Sequence, residues 1–275
     1  MSLVSVKDLA YGFVDLNEMK ALGKAKHDEY VNAQPYPHIV LDDFIDEALL
    51  DQCLELFPSK DDLAEDRFER PQEYQKFSFN PDLLVPPLRS MFYAFNARPF
   101  LAFLENLTGI EGLIPDPYYL GGGFHETRNG GHLDVHADFN HHKKMDLERR
   151  INLLIYLNKD WKPEYGGAFE LWDEKMEKCH EKVEPLFNRC AIFNTTSHSY
   201  HGHPDPVNHP NNQPRRSIAL YYYTATWDGS KRGHTTQFRA RTGTEDKFDY
   251  QVWLKEILED TTPPILMRAL KKLKK

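Results

Sequence analysis

Cysteine is scarce in this 275-residue sequence: Cys53, Cys179 and Cys190 are the three present, and no two stand in a C-x-x-C spacing. So few thiols, odd in number, argue against a disulfide framework or a thiolate zinc site and lead us to expect a reducing, cytoplasmic compartment. No run of 18 apolar residues occurs, so no membrane-spanning helix is expected. The opening MSLVSVKDLAYGF lacks a basic stretch followed by a long apolar one, so no signal peptide is expected. Positive charge is not in excess either. The formal net charge of −8 argues against a general nucleic-acid binder. Internal repeats and low-complexity linkers are absent.

What is present is material for a core, with 40% hydrophobic and 13% aromatic residues. The first hundred residues read as mostly helical. DLNEMKALGKAKHDEY (15–30) opens on a capping Asp15 or Asn17 and is rich in helix formers. DEALLDQCLELF (46–57) is amphipathic at helical spacing and is stopped by Pro58. Residues 86–109 predict one or two helices, interrupted near Pro99 and closed by Gly109. Between them, PHIVLDDFI (37–45) reads as a short strand. After Pro115 the texture changes to short β-rich runs: YYLGGGF (118–124), INLLIYLN (151–158), GAFELW (167–172), CAIFNT (190–195) and RSIALYYYTA (216–225). Many strands without intervening helices predict a sandwich or barrel. The chain finishes with YQVWLKEILED (250–260) and a Pro-initiated helix over 263–275 with a solvated lysine-rich end.

The chemistry concentrates in HLDVHADFNHH (132–142). Residues i and i+2 of a strand share a face, so His-x-Asp aims an imidazole and a carboxylate at one point. That is two thirds of the 2-His-1-carboxylate facial triad, which suits non-heme Fe(II). Three such pairs occur: His132/Asp134, His136/Asp138 and His203/Asp205. A second histidine must come from another strand, and TTSHSYHGH (195–203) offers His198, His201 and His203. RRSIALYYY (215–223) adds two arginines, the side chain best suited to grip a carboxylate. Alternation there puts Arg216, Ile218 and Leu220 on one face and Arg215, Ser217 and Ala219 on the other.

Together, GHLDVHAD (131–138), INLLIYLNKDWKPEYGGAFELW (151–172), YHGHPDP (200–206) and RRSIALYYYT (215–224) resemble the prolyl 4-hydroxylase-like branch of the 2-oxoglutarate/Fe(II)-dependent oxygenases. The resemblance runs over roughly residues 35–225, with PHIVLDDFI similar to the family's entry strand. It implies a double-stranded β-helix, a jelly-roll variant. The fold expected is therefore mainly β with flanking helices. Residues 1–110 would be an N-terminal helical support, 111–227 the β-helix core, and 228–275 a partly helical extension.

The same resemblance implies site residues. His136, Asp138 and His201 match the metal ligands, with His198 and His203 as weaker alternatives to His201. Arg216, with Arg215 as second choice, and Tyr156 match the groups that hold the distal carboxylate of 2-oxoglutarate. His125 or Thr127 stands where the family often has a tyrosine on the substrate side. Asn152 should face inward with Tyr156, His132 would form a polar entrance or second layer, and Phe139 with His141 and His142 would sit at the pocket mouth. HHKKMDLERR (141–150) reads as a surface loop or lid. The activity implied is hydroxylation of an aliphatic C–H on a prolyl, proline-like or other small-molecule substrate. Fe(II) would be the metal, 2-oxoglutarate and O2 the cosubstrates, ascorbate a reductant, and succinate and CO2 the by-products. The alternatives are a non-catalytic jelly-roll binding protein and a zinc-dependent hydrolase using the same ligands.

Overall fold

Among the described residues, four α-helices have defined bounds and each carries a local cause. In this computed structural model, which describes residues 2–4, 15–58, 66–83, 85–228, 230–231, 233–244, 246, 250 and 254, α1 (Leu16–Val31) is capped by Asp15. The Asp15 carboxylate accepts from the Asn17 and Glu18 N–H groups at 2.8 and 3.0 Å. Asp46 caps α2 (Glu47–Glu55) in the same way. A proline in the first turn starts both α3 (Pro86–Asn96) and α4 (Arg98–Thr108), and α4 closes on Gly109 at φ 72°.

Among the described residues, thirteen strands follow or interleave: β1 (His38–Leu41), β2 (Asp66–Arg70), β3 (Glu73–Phe79), β4 (Ile114–Pro115), β5 (Gly123–Ala137), β6 (His141–His142), β7 (Leu147–Tyr156), β8 (Phe169–Trp172), β9 (Cys179–Val183), β10 (Cys190–Asn194), β11 (Tyr200–His203), β12 (Arg215–Thr224) and β13 (Gln237–Phe238). Their order is β1-β10-β7-β12-β5-β11-β8-β9, with β3 and β13 also on β5. All pairings are antiparallel. The 15-residue β5 belongs to both walls. Its first part, Gly123 to Thr127, pairs with β12, while Leu133 and His136 pair with β11. The sheet therefore turns over along β5 into a nearly closed jelly roll, the mainly β fold expected.

Side-chain alternation sorts the two faces. Ile151, Leu153 and Ile155 of β7 and Ile218, Leu220 and Tyr222 of β12 join Phe100, Phe103 and Leu107 of α4 in the main core. Burying each such side chain contributes about 2 kcal/mol, so the helices cover this outer face firmly. The opposite face of the same strands turns Asn152, Leu154, Arg215, Ser217 and Tyr221 into the space between the walls.

Two expectations need correction. Residues 1–110 are more than a helical support, because β1 pairs with β10 and the β2–β3 hairpin pairs with β5. YYLGGGF does not form one strand: Asp116 accepts from the N–H groups of Tyr118 and Leu120, both at 2.8 Å, and holds a turn there until β5 begins at Gly123. The helix expected over 263–275 lies outside the described residues, as does all but Tyr250 and Leu254 of the 250–260 segment. Among the described residues no helix is long and apolar enough to cross a membrane.

Candidate active site

His136 and Asp138 stand at the end of β5, and His201 stands on β11 directly opposite His136 in the register. Gly202 makes that pairing possible. A Cβ there would lie 2.7 Å from the Leu133 carbonyl oxygen, so a larger residue would push β11 off β5. The ligand atoms of His136, Asp138 and His201 all lie within 4.8 Å of one another, and all three residues are buried. Among the described residues this is the one group of three or more such side chains with that geometry.

The surroundings prepare each group as a ligand. His136 Nδ1 lies 2.8 Å from the Asp134 carbonyl and His201 Nδ1 lies 2.9 Å from the Ser199 carbonyl. A carbonyl accepts only, so each Nδ1 carries the proton and each Nε2 keeps its lone pair for a metal. Burial also lowers the pKa of His201, keeping the ring neutral. Burial works against the Asp138 carboxylate, but the Arg149 guanidinium beside it holds its carboxyl well below the usual range. Arg149 reaches Asp138 Oδ2 at 3.0 Å, and Asn152 Nδ2 donates to the same oxygen at 2.6 Å. Arg149 and Asn152 also bind each other, at 2.8 and 3.0 Å. The Arg149 guanidinium lies between the rings of Phe139 and Tyr221, 4.4 and 3.6 Å from their centroids. The carboxylate so held keeps Oδ2 on these donors and 3.3 Å from His201 Nε2, and turns Oδ1 to His136 Nε2 at 3.6 Å. Two neutral imidazoles and one carboxylate on one side of an open cavity fit Fe(II) with positions to spare.

The same cavity, about 170 Å³, offers a carboxylate grip. It comes from Arg215, however, and not from Arg216. Arg216 shares its face with Ile218 and Leu220, which belong to the helix side. Its guanidinium accordingly lies 4.4 Å from the Phe57 ring centroid and 3.0 Å from Glu126, outside the cavity. Arg215 is 4% exposed, and its Nε donates to the Gly167 carbonyl at 2.7 Å. Its guanidinium stands 5.0 Å from the Tyr156 ring centroid. The Tyr156 hydroxyl is buried and makes no sound hydrogen bond to the protein, and burial pushes it up to about 12. A buried cation without an acid partner, next to a buried hydroxyl without an acceptor, fits an incoming carboxylate.

The remaining candidates divide cleanly. Thr127 sits opposite Arg215 in the register and lines the cavity with His125, Asn152 and Phe139. Burial drives the pKa of His125 down to about 3, with the Lys76 charge adding to the effect. His203 also lines the cavity, and both its ring nitrogens are buried without a partner. His132 does not reach the cavity; its Nε2 lies 3.0 Å from the Pro71 carbonyl and ties down the β2–β3 hairpin. Asp205 is at the surface with Lys182, and His198 is exposed beside Glu174. His141 stacks on Trp227 at 4.1 Å and His142 is fully buried 3.5 Å from Asp116, so neither forms the mouth. Phe68 and Arg70 of β2 and Thr236 and Phe238 at β13 do line the cavity, with Arg70 exposed and Phe238 buried. Sequence reasoning missed these and Arg149; a hairpin so rich in charge carried little strand signal.

Comparisons with known proteins agree with this geometry. Residues 122–223 match the family model described as 2OG-Fe(II) oxygenase superfamily. The fold is similar to a prolyl hydroxylase from Trichoplax adhaerens, solved with a hypoxia inducible factor oxygen degradation domain peptide fragment. The TM-score is 0.56 at 15% identity, covering 79% of this chain and 96% of that one. It is also similar to a prolyl 4-hydroxylase from Phytophthora capsici, with a TM-score of 0.51 at 16% identity, covering 77% of this chain and 66% of that one. These likenesses identify the fold as the double-stranded β-helix.

Proposed function

We propose that the protein, whose residues 122–223 match the 2OG-Fe(II) oxygenase superfamily model and whose fold is prolyl 4-hydroxylase-like, is a 2-oxoglutarate/Fe(II)-dependent dioxygenase that hydroxylates an aliphatic C–H bond. The preferred substrate is a prolyl residue or a small proline-like molecule. The carrying observation is that a metal-competent triad and Arg215, a buried cation without an acid partner, share one cavity, with the buried Tyr156 ring beside Arg215. A zinc hydrolase would have no use for the second half of that arrangement, and a binding protein would have no use for the first.

His136, Asp138 and His201 would hold Fe(II), and Arg215 and Tyr156 would hold the far carboxylate of 2-oxoglutarate, with Thr127 beside them. When bound, the metal and its cosubstrate supply the oxidising chemistry, in which R–H, O2 and 2-oxoglutarate give R–OH, succinate and CO2. The chain's own residues do the rest. Arg149 and Asn152 fix the Asp138 carboxylate so that it stays ionised and correctly turned. Phe169, Phe193 and Phe238, with ring centroids 4.6 to 5.7 Å from the ligand imidazoles, keep water away from them. His125, neutral at physiological pH, lines the substrate side as a hydrogen-bonding group without charge. We place the protein in a reducing, cytoplasmic compartment, in keeping with three free thiols, and expect ascorbate to sustain turnover. The test is succinate formation from 2-oxoglutarate in air, screened across proline, prolyl peptides and small metabolites. One succinate per hydroxylated product supports the proposal. No succinate with any addition, or without one, would overturn it.

A further inference from the structure

Charge is unevenly balanced in the cavity. Arg70, Lys76, Arg149 and Arg215 line it against only Glu73 and Asp138, a net charge of +2. Fe(II) would add two positive charges and 2-oxoglutarate two negative ones, so the loaded cavity keeps the same excess. Arg149 is matched by Asp138, and Arg215 serves the cosubstrate. The charges left to account for lie on the β2–β3 hairpin. Glu73 is shared there between Lys76 at 2.9 Å and Arg70 at 2.7 Å. Both its oxygens are taken, so it cannot also serve as the dock for a cation, and the hairpin presents one uncompensated positive charge.

We propose that the substrate is a small carboxylic acid whose carboxylate docks on Lys76 and Arg70. The proposal rests on the oxygenase reading above and adds the chemical class of the substrate. Lys76 is suited to the role by position. It stands in one row with Thr127 and Arg215 across β3, β5 and β12. With adjacent strands about 4.8 Å apart, its backbone is about 10 Å from that of Arg215. Its side chain leans away from Arg215, with Nζ 4.6 Å from the centre of the Phe68 ring on β2. A single carboxylate on Arg215 therefore does not occupy it. An ammonium has three donors, and Glu73 Oε1 takes one.

Burial makes the case sharper. Lys76 is 9% exposed and Glu73 is 5% exposed, so these two lie inside the cavity wall, while the Arg70 side chain, 45% exposed, reaches solvent. Desolvating such a set is costly, and an anion arriving at Lys76 offsets the cost. His125 lies within reach of both charges: after burial itself, Lys76 works against its protonation and Glu73 works in its favour. A carboxylate held on a lysine this deep in the wall belongs to a molecule that ends there, which favours a small acid over the interior of a peptide.

The experiment measures binding to the full chain loaded with Mn(II) and 2-oxoglutarate without oxygen. The probes are acetate, L-proline, L-pipecolate and N-acetyl-L-proline, each compared with its primary amide. The expected result is that the acids bind at least tenfold more tightly than their amides. Arg70→Gln and Lys76→Met should each remove at least tenfold of that affinity, while Lys159→Gln, an exposed ion-pair control on Asp51, leaves it unchanged. Lys76→Met keeps the alkyl stem on Phe68 but strips a partner from buried Glu73. If it fails to fold, Arg70→Gln, whose side chain is 45% exposed, carries the test. Equal binding of acid and amide, no binding by any acid, or full affinity in Arg70→Gln would overturn the proposal. Succinate formed without added substrate reports the oxygenase reading separately. Its presence without any acid preference would sink this proposal alone, and no succinate with any addition or without one would sink the reading beneath it.

Discussion

Arg215 and Arg216 are neighbours in sequence and opposites in the fold, so replacing each in turn should affect different properties. Arg215 is buried with no acidic partner, and it faces the cavity. Arg215→Met should therefore cost little stability, since a buried unpaired cation is expensive to keep. It should cost cosubstrate affinity heavily, because removing one side of a buried charge-assisted contact costs about 2–5 kcal/mol. Even the lower figure is about 30-fold in Kd for 2-oxoglutarate. Arg216 has the reverse profile. Its partner Glu126 is 2% exposed and keeps Arg128 at 2.9 Å when Arg216 is lost. Arg216→Met should thus lower stability by about 1 kcal/mol, about 2–4 °C in Tm for a chain of this size, and leave 2-oxoglutarate binding within about twofold, well under 1 kcal/mol. The assay is calorimetric titration of 2-oxoglutarate into the Mn(II)-loaded protein without oxygen, paired with thermal unfolding. Loss of affinity in Arg216→Met, with Arg215→Met unaffected, would refute the register assigned to β12.

Three further outcomes are expected. Gly202→Ala places a Cβ 2.7 Å from the Leu133 carbonyl oxygen and should weaken Mn(II) binding, read by titration, by moving His201 away from His136; unchanged affinity would contradict the close approach. His132→Ala should leave metal affinity intact and lower Tm by a few degrees, since it loses one hydrogen bond to Pro71, worth about 1 kcal/mol. For Asp138 and Glu73, burial alone would raise the carboxyl pKa values, but Arg149 beside the first and Lys76 and Arg70 beside the second bring both below their ordinary values. Their contribution is complete above the unfolded values near pH 4 and is lost as pH falls through the folded ones. Tm should therefore drop steeply on acidification below about pH 4, and the Glu73→Gln variant should show a shallower drop from a lower starting point.

Local signals made much of this architecture legible. Asp15, Asp46, Pro99 and Gly109 mark helix ends through their own backbone chemistry. The alternation of Ile218, Leu220 and Tyr222 with Arg215, Ser217 and Ala219 defines the two faces of β12. It does not say which face looks inward, and only the packing of Ile218 and Leu220 under α4 decides that. The β2–β3 hairpin was illegible for a different reason. Asp66, Arg67, Glu69, Arg70, Glu73 and Lys76 read as solvated, yet Glu73 and Lys76 are buried against each other once β3 lies on β5. Arg149 was hidden likewise, inside a basic run that looked like a surface loop. Its burial makes sense only beside Asp138, eleven residues away in the chain and 3.0 Å away in space.

The central claim is that one cavity holds Fe(II) and 2-oxoglutarate together. Its most direct test is the visible spectrum of the protein with both added in the absence of oxygen. The account predicts a weak metal-to-ligand charge-transfer band in the wild type that is abolished in His136→Ala and retained in His132→Ala. Absence of the band in the wild type, or its survival in His136→Ala, would contradict it.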